Sequence, residues 1–135
     1  EKIANLSRAI EVAEEHDIKA IVATNTTTDH SQLKSKHGQE WGGVSGRPLE
    51  QKATETVECI YGMTDLPVIG VGGVDSAESA YKKIRHGASL VQIYTGFVYK
   101  GPSLARQITM GLVELLEKDG YASIEEVVGI DCKEA

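Results

Sequence analysis

Apolar positions recur along the chain in two alternating patterns. Ile3, Leu6, Ile10 and Ala13 repeat at helical spacing, with Lys2, Arg8, Glu11, Glu14 and Glu15 left for solvent. Ala20-Ile21-Val22-Ala23 is then a short continuous apolar run, the mark of a strand buried on both faces. It ends in Thr24-Asn25-Thr26-Thr27-Thr28, and a long polar stretch follows through His30 and His37 to Trp41. The alternation continues with a helix over about Glu50 to Tyr61, with Ala53, Val57 and Ile60 on one face, and a strand over Pro67–Val71 closed by Gly72-Gly73. The next helix carries Ala77, Ala80, Tyr81 and Ile84. Asp75, with Glu78 three residues on, reads as its N-cap and Gly87 as its left-handed terminus. Leu90–Ile93 supplies a third strand, followed by Tyr94-Thr95-Gly96. Pro102 suits the first turn of a long helix that carries Leu104, Ile108, Leu112, Leu115 and Leu116 and ends at Gly120. Ser123-Ile124-Glu125-Glu126 has capping-box spacing and begins a short terminal helix.

The resulting order, α-βα-βα-βα plus a short helix, predicts an α/β fold with a parallel sheet. In such a sheet the loops at the strand C-termini carry the chemistry. The 135 residues allow one domain but fall short of a complete (β/α)8 barrel, which takes about 250. Three strands are few for a free-standing sheet of this kind, so residues 1–135 read either as a small three-layer unit or as a piece of something larger. The opening inside a helix, with no strand before it and no initiator Met, reads as a cut.

Charge and composition narrow the function. Twenty acidic against fourteen basic residues give a net charge of −6, which argues against a nucleic-acid binder needing a basic face. Apolar residues at 41% and charged ones at 25% are ordinary for a folded chain. No apolar run approaches a membrane span, and no signal peptide opens the chain. Cys59 and Cys132 form no C-x-x-C pair, which favours a reducing compartment, and Cys59 reads as a packing residue. His16, His30, His37 and His86 lack metal-ligand spacing, so no metal site is expected. No Ser-His-Asp order or paired carboxylates support a hydrolase.

The chemistry concentrates in loops that open on one rim. Gly72-Gly73 after a strand lets backbone approach a ligand, and the helix start behind it favours an anion. Tyr94-Thr95-Gly96 repeats this one strand later and adds a hydroxyl. The pair resembles the phosphate site that (β/α)8 enzymes build from their last two loops. Taken singly, such glycines also serve to close tight turns. Ser45 and Gly46, within Gly42-Gly-Val-Ser-Gly-Arg-Pro48, are placed to wall a planar ligand or its phosphate. Arg47 suits an anion, although a surface arginine is the commoner case. Thr24-Asn25-Thr26 points donors and acceptors at one place, and the Asn amide suits a cyclic imide or carboxamide edge. The alternative is an Asx/ST-turn closing the strand, the role expected of Thr27 and Thr28. The stretch from Thr27 to Trp41 is a candidate lid, with Trp41 covering its base.

Four motifs carry a family resemblance: Ile21-Val-Ala-Thr-Asn-Thr-Thr27, Gly42-Gly-Val-Ser-Gly-Arg-Pro-Leu49, Pro67-Val-Ile-Gly-Val-Gly-Gly-Val74 and Gly87-Ala-Ser-Leu-Val-Gln-Ile-Tyr-Thr-Gly-Phe-Val-Tyr-Lys-Gly-Pro102. In this order and spacing they resemble dihydroorotate dehydrogenase, and Tyr94–Pro102 resembles its quinone-dependent, membrane-associated class. The match covers nearly the whole chain and corresponds to the C-terminal part of such an enzyme, its last three βα units. The resemblance implies an FMN flavoprotein that oxidises dihydroorotate to orotate in pyrimidine biosynthesis and passes electrons to a quinone. It lies peripherally on an inner membrane, cytoplasmic or mitochondrial. Carried over by position, Thr24, Gly46, Gly73, Tyr94 and Thr95 contact FMN, Ser45 and Gly72 help line the site, and Asn25 and Thr26 hydrogen-bond the orotate ring. The catalytic base, a serine in this class, lies on an earlier loop outside this sequence, as do the segments that meet the quinone. The resemblance leaves these residues as half a cofactor cradle, inactive alone. The alternatives are a non-enzymatic isolated piece, folding as a partial barrel or self-associating through exposed strand edges, and a fragment of another phosphate-binding barrel.

Overall fold

The computed structural model describes residues 2–132, with the side chains of residues 2–4, including those of Lys2 and Ile3 assigned above, outside the described set. Helix α1 (Lys2–Glu15) precedes strand β1 (Ile21–Ala23). A 3-10 turn (Arg47–Leu49) runs directly into α2 (Glu50–Tyr61), then β2 (Val68–Val71), α3 (Ala77–Arg85) and β3 (Ala88–Gln92). After β3 come a short helix α4 (Thr95–Lys100), the long α5 (Leu104–Asp119) and a 3-10 turn at Glu125–Val127.

The strands form one parallel sheet in the order β1-β2-β3. The helices cover one of its faces. Ile10, Ala23, Val57, Ile60, Val68 and Ala88 make one apolar cluster there, and Val74, Ala80, Leu104 and Ile108 make a second. The other face is bare: Val22 is 55% and Leu90 62% exposed, on either side of Ile69 in register.

The register slips between Val68 and Ile69, because Val68 pairs with Ala88 but Ile69 pairs with Leu90. Ser89 is the extra residue of a bulge. Through it Ala88 and Val91 both pack with the helix layer, while Leu90 and Gln92 fall on the bare face.

Three local expectations change. The N-cap of α3 is Ser76, whose hydroxyl accepts from Ser79 N while Ser79 Oγ accepts from Ser76 N. Asp75 is displaced from that role because its carboxylate pairs with Arg47. The third strand begins at Ala88 and stops at Gln92, leaving Ile93 outside it. The terminal segment is a 3-10 turn rather than an α-helix, and Ser123 hydrogen-bonds Glu125 instead of Glu126. Gly87 (φ +102°) and Gly120 (φ +81°) end α3 and α5 in the left-handed region, as expected. Arg85 ties the end of the chain down through paired bonds to Asp131 of 2.6 and 2.7 Å.

Candidate functional site

A cleft of about 750 Å³ opens at the C-terminal ends of the strands. Every sequence-assigned site residue lines it: Thr24, Asn25 and Thr26 after β1, Ser45 and Gly46 before the first 3-10 turn, Gly72 and Gly73 after β2, and Tyr94 and Thr95 after β3. Parallel pairing continues past β1, with Thr24 N donating to Val71 O at 2.8 Å, and this sets the first and second loops side by side. Thr95 Oγ1 donates to Ser45 Oγ at 2.9 Å, tying the last loop to the one before α2.

Thr24 has a buried Oγ1 with no hydrogen-bond partner among the described residues. A buried hydroxyl left unpaired costs about 1–3 kcal/mol, so it marks a place built to be completed by a ligand. Among the described residues no protein acceptor takes the amide N–H of Gly73, Thr95 or Gly96 either. Asn25 divides its amide: Oδ1 accepts from Thr26 N at 2.8 Å, an Asx-type contact. The turn-closing role expected of Thr27 is present, since its hydroxyl accepts from Asp29 N at 3.2 Å.

The glycines act differently from the sequence expectation. A Cβ on Gly73 would not enter the cleft. It would overlap the Cβ of Glu50, and φ is +76°. Gly72 (φ +116°) is closed off likewise, by Ala53 Cβ at 2.9 Å and Leu49 at 3.0 Å. These glycines let the loop lie flat on the first turn of α2, and the cleft receives bare backbone as a result. At the start of α3 Ser79 N is already capped by Ser76, whereas the glycine loop and Thr95-Gly96 keep amides without a protein acceptor among the described residues.

Charge at the cleft is locally positive although the chain is acidic. Arg47 and Lys100 line it against a single carboxylate, Asp75. Arg47 bonds that carboxylate, and Lys100 Nζ donates to Asp75 O at 2.7 Å. Arg47 is therefore an exposed arginine that already holds an acidic partner, while two cations over one anion leave a net attraction for a phosphate.

One expectation about the long loop changes. Trp41 is fully exposed and covers nothing. The loop is closed instead by the bridge between Thr27 and Val44 and by His30, whose Nδ1 lies 2.8 Å from Gly38 O and Nε2 2.9 Å from Gly42 O. Both partners are acceptors, so both contacts are hydrogen bonds only in the protonated ring, and these carbonyls raise the His30 pKa. The family model for dihydroorotate dehydrogenase matches residues 1–116.

The chain belongs to the dihydroorotate dehydrogenase family. Among curated relatives it is 53% identical over 129 residues to dihydroorotate dehydrogenase (quinone) of Natronomonas pharaonis, covering 95% of this chain and 37% of that protein. It is 44% identical to the protein of the same name from Roseiflexus castenholzii, covering 98% of this chain and 37% of that one. Among solved structures, the ligand-free dihydroorotate dehydrogenase of Eimeria tenella superposes with a TM-score of 0.85 at 36% identity, over 92% of this chain and 35% of its own. The chain thus spans little more than a third of these relatives. The three βα units are part of a (β/α)8 barrel, and the bare face of the sheet is the side such a barrel turns inward.

Sequence reasoning missed Gln92, Tyr99 and Lys100, which also line the cleft. Gln92 reaches it only through the bulge at Ser89. Tyr99 and Lys100 reach it because α4 continues from Thr95, where the sequence indicated only a loop.

Proposed function

We propose that these residues are one part of an FMN-dependent dehydrogenase that oxidises dihydroorotate to orotate in pyrimidine biosynthesis, with a quinone as electron acceptor. The observation that carries the reading is the unpaired buried hydroxyl of Thr24, a residue that lines the cleft together with Gly73, Thr95 and Gly96, whose amides have no acceptor among the described residues. A flavin phosphate satisfies the amides of Gly73, Thr95 and Gly96 under the attraction of Arg47 and Lys100. Thr24, Ser45, Gly46, Gly72 and Tyr94 flank the rest of the cofactor. Asn25 and Thr26, at the end of β1, present amide and hydroxyl to the pyrimidine ring. Bound FMN supplies the hydride acceptor, and the protein's share is orientation and electrostatics.

The proton leaving the neighbouring carbon needs a base. The only carboxylate lining the cleft, Asp75, is engaged by Arg47 and Lys100, and no histidine lines it. The family resemblance implies that the base is a serine on an earlier loop of the full-length protein. No helix among the described residues is long and apolar enough to cross a membrane. Peripheral attachment to an inner membrane, and the quinone contact, belong to the rest of the full-length protein.

The test is the flavin content of the full-length protein, read from its absorbance bands, with dihydroorotate-dependent quinone reduction alongside. Thr24→Val is expected to weaken FMN binding about fivefold, one lost hydrogen bond of about 1 kcal/mol. A colourless wild-type protein that takes up no FMN refutes the reading. A second reading rests on the bare Val22–Leu90 face: these residues alone self-associate by pairing that surface. A monomeric mass by size exclusion excludes it.

A further inference from the structure

Lys83 lies on α3 between the partly exposed cations Lys82 and Arg85, yet its side chain is completely buried. Its stem crosses β2 at Gly70, where a Cβ would come within 2.6 Å of Lys83 Cδ and 2.9 Å of Cγ. Nζ donates to Thr54 Oγ1 at 2.9 Å, and Thr54, also buried, donates to Glu50 O at 2.9 Å. Glu50 is the residue on which Gly73 rests. A buried amine thus sits behind Gly73, which lines the cleft and whose amide has no acceptor among the described residues.

A buried ammonium with so little compensation is costly. Glu50, the carboxylate that acts on it, is already paired with Lys82 at 3.0 Å. We infer that Lys83 is the buried countercharge for the cofactor phosphate, a positioning residue that acts on it through Thr54, Glu50 and Gly73 without touching it. This rests on the FMN reading above and adds to it a residue with no contact to the cleft.

Burial pushes the Lys83 ammonium down to about 8, against an upward pull from Glu50 and with a further downward push from Lys82. These are the charged groups that face it from α2 and α3. The strands β2 and β3 contribute none. An anion bound in front of it favours the charged form, so FMN binding near pH 8 takes up protons, and affinity falls as pH rises through that value. A phosphate monoester, with its second pKa about 6, is already dianionic there and does not account for the effect.

The experiment measures FMN and riboflavin affinity by fluorescence quenching on the flavin-free full-length protein, wild type and Lys83→Met, from pH 7 to pH 9.5. Lys83→Met is expected to bind FMN about tenfold more weakly at pH 7, to lose the pH dependence, and to leave riboflavin, which lacks the phosphate, unchanged. Equal FMN affinity in both proteins overturns the inference while leaving the FMN site intact. Equal weakening of riboflavin overturns it too, because the effect is then structural. A wild type that binds no FMN overturns the site itself. Should Lys83→Met not fold, calorimetry of FMN binding to the wild type at pH 8, in buffers of different ionisation enthalpy, decides: net proton uptake supports the inference and none overturns it.

Discussion

The loop after β2 is short and wedged. Gly72 and Gly73 adopt left-handed φ values and lie against Leu49, Glu50 and Ala53 with no room for a side chain. The loop after β1 is long and polar. It stands on a single β-bridge, the His30 contacts to Gly38 O and Gly42 O, and an ion pair between Lys52 and Asp29. Both border the same cleft. One is fixed by packing, which pH and salt barely touch, and the other by protons and charges, which they govern. In the function proposed above, the rigid loop serves the group that stays, and the adjustable stretch beyond Thr26 borders the molecule that comes and goes.

The largest expected effect is on the packed side. Gly73→Val forces a β-branched side chain into the first turn of α2 at φ +76°, a loss of about 3 kcal/mol or more, read as a fall in thermal midpoint. Gly42→Val, in the open loop where φ is +151° but a Cβ meets nothing within 4 Å, is expected to cost less, through backbone strain alone. Similar losses at the two positions would erase the contrast.

Next comes Asn25→Ala, on the polar side. It is expected to lower kcat/KM for dihydroorotate roughly tenfold or more in the full-length enzyme, through loss of ring hydrogen bonds, with flavin content unchanged. Equal loss of flavin would contradict the division between the loops.

The third effect is pH-dependent. A neutral imidazole donates once, and His30 faces two carbonyls. Its pKa is raised in the fold by the Gly42 and Gly38 carbonyls. The latch is therefore complete below the unfolded value of about 6.5 and is lost as pH rises through the raised one. Limited proteolysis between residues 28 and 43 should accelerate across that range. In His30→Phe it should be fast at every pH. A rate independent of pH in the wild type would remove the latch.

Smallest is Trp41→Ser. With the ring fully exposed, stability should stay within about 0.5 kcal/mol of wild type, by chemical denaturation.

The strands, the three long helices after β1 and the rim of loops were legible because apolar period and glycine placement are local signals. Thr24, Ser45, Gly73 and Thr95 converge as the strand–loop order implied. What escaped depended on partners distant in sequence. Asp75 looks like a cap until Arg47, 28 positions away, takes its carboxylate. Helix α4 presents no buried residue, so it left no apolar stripe to read. Lys83, within Tyr-Lys-Lys-Ile-Arg, resembles a solvated face. The available signal was Gly70, a glycine in the middle of an apolar strand, which makes the space its stem occupies.

The bulge at Ser89 sets a parity for everything downstream of it. Drawing Ser89 into a regular ladder would exchange the sides of Leu90, Val91 and Gln92 and point a leucine and a glutamine into the helix layer, whereas deleting it would keep the present pairs, Val68 with Ala88 and Ile69 with Leu90, as consecutive ones.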